Sequence, residues 1–98
     1  MSTLPKTPIS IESEKALLGS LIIDSESWEK ISNIITPADF YDSKNRDVFS
    51  EIYDLQINDQ PLDILILEES LKSRDKLLKF GGIEYLTELA NTVQTLAH

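Results

Sequence analysis

Three acidic residues, Asp47, Glu51 and Asp54, are the first candidates for binding chemistry in this sequence. Their spacing of four and three residues places them on one face of a helix. Like charges at that spacing slightly destabilise a helix. This acidic stripe is either an ordinary solvated face or a docking surface for a basic partner. We expect the stripe to be exposed, because three buried carboxylates without partners would cost too much free energy.

Leu65 is a fourth candidate contact. It lies in the run Ile64-Leu65-Ile66-Leu67, and four consecutive apolar residues cover more than one face of a helix. Leu65 falls on the same side as Glu68 and Glu69, so we predict that it is exposed. A single exposed leucine is common on protein surfaces, and its other interpretation is a place in an interface.

A strip of small residues, Ala16, Gly19 and Ser20, accompanies the apolar residues of the first predicted helix. Glycine in a helix interior costs about 1 kcal/mol relative to alanine. Close approach of another helix would compensate that cost. The neighbouring helix can belong to the same domain or to a second subunit, and the sequence favours the first.

Residues that commonly support catalysis or metal binding are scarce. The chain has no cysteine, and its one histidine is the C-terminal His98. No carboxylate pair has a recognised metal-ligand spacing, and no Gly-Lys-Ser/Thr sequence occurs, which excludes a phosphate-binding loop of the Walker A type. Gly81-Gly82 predicts only a turn before a helix. We therefore assign no catalytic, cofactor-binding or metal-binding residue.

Charge and hydropathy limit the classes of partner. The net charge is −8, with nine Lys and Arg against seventeen Asp and Glu. Proteins gain most of their affinity for nucleic acids from basic residues on phosphates, so we expect little direct DNA binding and favour protein partners. The longest apolar runs have four residues, too few for a membrane span. The N-terminus lacks the apolar core of a signal peptide, and the absence of cysteines is compatible with the cytoplasm.

The N-terminal half predicts short helices after a flexible leader at residues 1–9. Ser10 caps a first helix from Ile11 to about Ile23. Asp24 or Ser25 caps a second helix, in which Trp28, Ile31 and Ile35 follow the helical spacing i, i+3 and i+7. Thr36-Pro37-Ala38-Asp39 combines a capping threonine with proline at the first helical position, which predicts a single turn.

The central helix is predicted to begin with Ser43 as its N-cap and to end near Asn58. Its apolar residues follow a helical period, and Phe49 should be the most buried of them. We expect Phe40 and Tyr41 to fold back against this helix.

The C-terminal half predicts a helix from Ile64 to about Ser73 with Asp63 as its cap. A connection then directs Leu77, Leu78 and Phe80 inward, and a last helix runs from Ile83 to about Ala90, where Asn91-Thr92 stops it. Thr95 resembles the cap of a further helix. The predicted fold is therefore all-α, a small orthogonal bundle of five or six short helices over 10–94, with the start of a truncated helical hairpin at 95–98.

Five segments in order resemble the N-terminal domain of the bacterial replicative DNA helicase, the DnaB family. The resemblance covers about Ile11 to His98, with Ser13 as a departure where alanine is usual. The segments are Ile11-Glu12-Ser13-Glu14-Lys15-Ala16-Leu17-Leu18-Gly19, Asp39-Phe40-Tyr41 with the Val48-Phe49 helix, Pro61-Leu62-Asp63, Leu67-Glu68-Glu69-Ser70-Leu71 and Gly81-Gly82-Ile83-Glu84-Tyr85-Leu86-Thr87-Glu88-Leu89.

The resemblance implies a non-catalytic domain of a ring-shaped hexameric helicase that unwinds DNA with ATP and Mg²⁺. In that family the motor is a separate C-terminal domain, and the N-terminal domains form a collar that binds primase, the helicase loader or other replication proteins. It also implies the bacterial cytoplasm, with association with the nucleoid through the replisome. The family's ATP-binding residues match no position in this chain.

Two alternatives fit a small, acidic, helical chain. The helicase-binding domain of primase has a similar fold, but the series of motifs favours the helicase. An acyl or peptidyl carrier protein needs a serine at a helix start, commonly in Asp-Ser-Leu. Asp24-Ser25 and Asp42-Ser43 are not followed by leucine, and helix capping explains both.

Overall fold

The described residues, 10–76 and 81–96, form an all-α bundle in a computed structural model of the chain. No helix in these two ranges combines the length and apolar character needed to cross a bilayer. Five α-helices are present there, and two 3₁₀ turns, Ser25–Ser27 and Pro37–Asp39, accompany them. The helices are α1 (Ile11–Ile23), α2 (Trp28–Ser32), α3 (Ser43–Ile57), α4 (Ile64–Ser73) and α5 (Ile83–Leu96).

Local capping explains why the first and fourth helices begin where the sequence predicted. Ser10 accepts a hydrogen bond from the amide of Ser13, and Asp63 accepts one from the amide of Ile66 at 2.9 Å. The single turn after Thr36 is also confirmed, since Thr36 and Asp39 form a capping box around Pro37. Each side chain satisfies an amide that has no partner within the helix.

Three predicted helices differ from the structure at one end. The second was predicted to include Ile35, but α2 ends at Ser32, and the turn that Asp24 caps precedes it. The N-cap of α3 is Asp42, not Ser43, and its carboxylate accepts the amide of Asn45 at 3.1 Å. At the other end of the chain, α5 passes through Asn91-Thr92 and reaches Leu96. The Thr92 hydroxyl donates to the carbonyl of Glu88 within the helix, so its side chain does not compete with the helical backbone bonds. Thr95 therefore lies inside a helix rather than capping a new one.

The core is apolar and draws on all the long helices. Phe49 is fully buried, as predicted, and its ring lies 4.9 Å from that of the buried Phe40. Tyr41 does not fold back with Phe40, since 86% of it is exposed. The remaining core residues are Leu18, Leu21, Ile22, Ile35, Val48, Ile52, Leu67, Leu71, Tyr85, Leu86 and Leu89.

The most extensive helix contact joins α1 to α5. Gly19 is buried, and its neighbours Ala16 and Ser20 are half-buried, which agrees with packing inside the domain. Gly81 and Gly82 precede α5 with φ values of 97° and 71°, a conformation that glycine adopts without strain. The predicted leader, the inward side chains of 77–80 and His98 lie outside the described residues.

Candidate protein-interaction surface

Glu51 is a buried member of the acidic stripe, so the expectation that the whole stripe is exposed was wrong. Only 2% of Glu51 is accessible. Its carboxylate accepts a hydrogen bond from the Ser70 hydroxyl and lies 3.1 Å from Nε of Arg74. A buried carboxylate is tolerated when it is paired and hydrogen-bonded in this way. Both partners come from the end of α4, so Glu51 ties α3 to α4.

The other two stripe residues, Asp47 and Asp54, are partly exposed and also have cationic partners. Arg74 Nη2 lies 3.5 Å from Asp54, whose side chain is 43% exposed. Lys76 Nζ lies 3.8 Å from Asp47, whose side chain is 29% exposed. The negative charge of the stripe is thus largely balanced by the chain itself. The predicted role of these residues in partner binding stays a prediction.

Leu65 lies on the surface, as predicted, with 65% of the residue exposed. The neighbouring Leu67 is fully buried and its partner one turn on, Leu71, is buried as well. The helical period therefore separates a core face from a solvent face in α4. The chain folds with Leu65 free to contact another protein, and its role there also stays a prediction.

Glu14 is a fully buried polar residue in the first turn of α1. Its carboxylate accepts the amide of Tyr41 at 2.6 Å and the Nδ2 of Asn45 at 2.9 Å. Asn45 in turn accepts the hydroxyl of Tyr85. A signal was present in the sequence: Glu14 precedes Leu17, Leu18 and Leu21 by three, four and seven residues, which places it on the apolar stripe of α1.

This network fixes the segment that carries Tyr41. The guanidinium of Arg46 donates to the carbonyl of Phe40 at 3.1 Å and to that of Tyr41 at 3.4 Å, while Glu14 holds the amide of Tyr41. Both peptide groups of Tyr41 are therefore engaged by side chains. The segment presents an almost fully exposed aromatic ring from a backbone with little freedom.

A cleft of about 310 Å³ lies above this network between the start of α1 and α5. Lys15 forms an ion pair with Glu88 across it, and this partner raises the pKa of Lys15. Lys44 Nζ lies 4.8 Å from the centre of the Tyr85 ring. The pKa of Tyr85 is raised, mainly because the residue is buried and secondly because the negative charge of Asp42 is nearby. Lys15 and Lys44 are thus both engaged, the first by an opposite charge and the second by an aromatic ring.

A second cleft, of about 610 Å³, lies between the Ser25–Ser27 turn, α2 and the end of α3. We call it the Trp28 cleft. Its carboxylates are those of Glu26, Glu29 and Asp59, and Ser25, Trp28 and Gln56 complete its lining. The Trp28 ring is in contact with the ring of Tyr53, at a centroid distance of 5.6 Å and nearly perpendicular. The cleft combines aromatic surface with negative charge.

The described part of the chain holds no group of three or more carboxylate or histidine side chains placed to bind a metal ion. The surfaces above offer charge, exposed apolar side chains and two open clefts. Such features suit contacts with another protein.

Residues 6–98 match the sequence model of the DnaB-like helicase N terminal domain. The chain is 37% identical over 89 residues to the replicative DNA helicase DnaB of Buchnera aphidicola subsp. Schizaphis graminum, covering 90% of this chain and 19% of that protein. It is 36% identical over 84 residues to the DnaB of Haemophilus influenzae, with 86% and 18% covered. The chain thus spans about a fifth of the length of the curated relatives that it matches.

The fold is also similar to a solved structure. The crystal structure of the N-terminal domain of DnaB helicase from Mycobacterium tuberculosis superposes with a TM-score of 0.83 at 27% identity. The superposition covers 92% of this chain and 64% of the other.

Proposed function

Because this chain belongs to the family of DnaB-like helicase N-terminal domains, we propose that it is the non-catalytic, protein-binding domain of a replicative DNA helicase. The family match across residues 6–98 is the observation that carries the proposal. The names of the curated relatives support it, since those quoted above are replicative DNA helicases. They favour this function over a primase domain or a carrier protein.

In this proposal the domain helps to assemble a hexameric ring, in which copies of it form a collar. It also docks primase and the helicase loader or other replication proteins. The protein acts in the bacterial cytoplasm and reaches the nucleoid through the replisome. The arguments from this chain are its acidic composition, with a net charge of −8, and surfaces that offer exposed apolar side chains beside charged ones.

ATP hydrolysis belongs to another domain of the parent protein in this proposal. The 98 residues contain no Gly-Lys-Ser/Thr sequence. In a Walker A motif, the lysine and the backbone amides of such a sequence hold the phosphates of ATP. ATP and Mg²⁺ would therefore bind in a separate motor domain. This chain would contribute assembly and recruitment.

Among the predicted contact residues, Leu65, Asp47 and Asp54 are the ones that we propose as direct contacts. Leu65 offers an exposed apolar anchor, and the two aspartates are partly exposed. Glu51 would act from below the surface, by orienting Arg74.

The test of this division of labour uses the chain alone. We expect the purified chain to release no phosphate from ATP. We also expect fluorescence anisotropy with a labelled DNA single strand, at physiological salt, to show only weak binding, because few basic residues are available to neutralise phosphates. ATP turnover by the homogeneous chain, or submicromolar affinity for the strand, would overturn the proposal.

A further inference from the structure

The carboxylates of the Trp28 cleft have no ion-pair partner within residues 10–76 and 81–96. Glu26, Glu29 and Asp59 line the cleft, and none of them takes part in the ion pairs formed by the described residues. Lys30 follows Glu29 and lies four residues after Glu26, but it forms no ion pair with either among the described residues. The stripe on α3 differs in this respect, since Arg74 and Lys76 pair with its three acids.

The aromatic side chain of the cleft is held in place from inside the domain. Trp28 is half-buried, and its ring lies 5.7 Å from that of the buried Phe49 and 5.6 Å from that of Tyr53. These contacts fix the indole, so the surface that it contributes to the cleft is preorganised. Preorganised aromatic surface loses little entropy when a ligand binds.

Exposed apolar side chains continue from this point along α3. Tyr53 is 37% exposed, and Ile57, one helical turn further on, is 60% exposed. Gln56 belongs to the same turn and lines the cleft. The surface therefore joins an acidic, aromatic cleft to a short apolar ridge.

We propose that the Trp28 cleft binds an arginine or lysine side chain of a basic segment of a partner protein. The cationic group meets the carboxylates of Glu26, Glu29 and Asp59, and the indole attracts it through its ring electrons. The aliphatic part of the same side chain packs on Trp28, and an apolar neighbour in the segment rests on Tyr53 and Ile57.

This inference rests on the proposed function, because it supplies a binding site for one of the protein partners. The three carboxylates of the cleft itself would repel another acidic surface. Charge complementarity selects a basic protein segment.

The experiment uses Trp28 as its own reporter, because it is the only tryptophan in the sequence. The probe is a short peptide in which arginine alternates with leucine, and its counterpart has glutamate in place of arginine. Titration of the chain with the arginine peptide should change the tryptophan fluorescence in a saturable way. The glutamate peptide should cause no saturable change.

The decisive variant is Glu26→Gln/Glu29→Gln/Asp59→Asn. Its matched control is Glu12→Gln/Glu69→Gln/Asp75→Asn, which removes the same three charges at exposed positions outside the cleft. The control is matched in backbone as well, because Asp59 and Asp75 have φ values of 56° and 60°, a conformation that asparagine also tolerates. Urea unfolding of both variants verifies that each is folded.

We expect the cleft variant to bind the arginine peptide about fivefold more weakly than the control variant does, because it loses several partly exposed ion pairs with the peptide. Equal weakening in the two variants would overturn the proposal, since the attraction would then be a property of total charge. Absence of saturable binding, or equal binding of the glutamate peptide, would overturn it too. These results leave the proposed function standing, because that function depends on the domain's association with whole replication proteins.

Discussion

The fully buried side chains of Glu14 and Asn45 are joined by a hydrogen bond of 2.9 Å between Oε1 of the first and Nδ2 of the second. This bond connects α1 to α3. The hydroxyl of Tyr85 donates to Oδ1 of Asn45 and so connects α5 to the same network. No buried side-chain nitrogen or oxygen within the described ranges lacks a partner. A satisfied polar network of this kind fixes the relative positions of three helices.

We predict that Glu14→Gln lowers the free energy of unfolding by about 1–3 kcal/mol, the cost of a buried group left without a hydrogen-bond partner. The glutamine amide group places a donor where the carboxylate accepted, so at least one buried donor from Tyr41 or Asn45 loses its partner. The measurement is urea unfolding followed by circular dichroism. Glu12→Gln is the control, because Glu12 is exposed in the same first turn and its loss should cost less than about 0.5 kcal/mol. Equal effects of the two substitutions would contradict the role of the network.

We predict that Arg74→Met destabilises the chain by about 1–2 kcal/mol. The substitution leaves Glu51 buried with only the Ser70 hydroxyl as a partner. The cost is smaller than that for a fully buried pair, because the Arg74 side chain is 52% exposed and water can replace part of its interaction. Lys72→Met, an exposed position on the same helix, is the control. If both variants unfold at the same urea concentration, Arg74 does not stabilise Glu51.

Stability should fall as the pH rises above about 10, and Tyr85 should account for part of that fall. Burial raises the pKa of Tyr85 from its ordinary value of 10.0, so the folded state keeps this proton when the unfolded state loses it. The stabilisation is therefore complete below the unfolded pKa and declines above it. The pKa of Lys15 is raised from 10.5 by Glu88, and its contribution declines in the same direction.

The measurement is the unfolding free energy of wild type and Tyr85→Phe between about pH 9 and pH 11. Near pH 9 the variant is less stable than wild type, because it cannot donate to Asn45. The prediction concerns how steeply the unfolding free energy falls with pH. It should fall less steeply in the variant, which lacks the contribution of Tyr85 and keeps that of Lys15. Parallel curves would contradict a raised pKa at Tyr85.

Two leucines two residues apart should respond very differently to truncation. Leu67→Ala should cost about 2–5 kcal/mol, because the fully buried side chain leaves a cavity in the core. Leu65→Ala should change stability by less than about 0.5 kcal/mol, because the residue is 65% exposed. Thermal unfolding of the two variants is sufficient. A loss of stability in Leu65→Ala comparable to that in Leu67→Ala would contradict this arrangement of α4.

Helix starts were predictable from sequence wherever one side chain decides them. Ser10 and Asp63 cap the helices expected of them. At the start of α3 two capping residues stand side by side, and propensity alone does not choose between Asp42 and Ser43. The choice falls on Asp42, whose carboxylate accepts the amide of Asn45 while Asn45 is held by Glu14.

The fate of buried acids was not predictable, because it depends on partners that are distant in the sequence. Glu51 flanks the apolar residues of α3, whereas its partner Arg74 follows the last residue of α4. Helical spacing correctly placed Glu51 near Asp47 and Asp54 but could not show that α4 covers it. The same reason hid the Trp28 cleft, whose acids come from segments about thirty residues apart.

The most direct test of the central claim is sedimentation velocity of the fluorescently labelled chain mixed with the primase encoded in the same genome. A domain whose role is protein binding should sediment faster as primase is added. We expect the complex to have a dissociation constant in the micromolar range or tighter, which corresponds to a binding free energy of about 8 kcal/mol or more. An excess of unlabelled serum albumin is the control for crowding. A labelled chain whose sedimentation is unchanged up to roughly 100 µM primase, a concentration that would reveal even weak binding, would contradict the account.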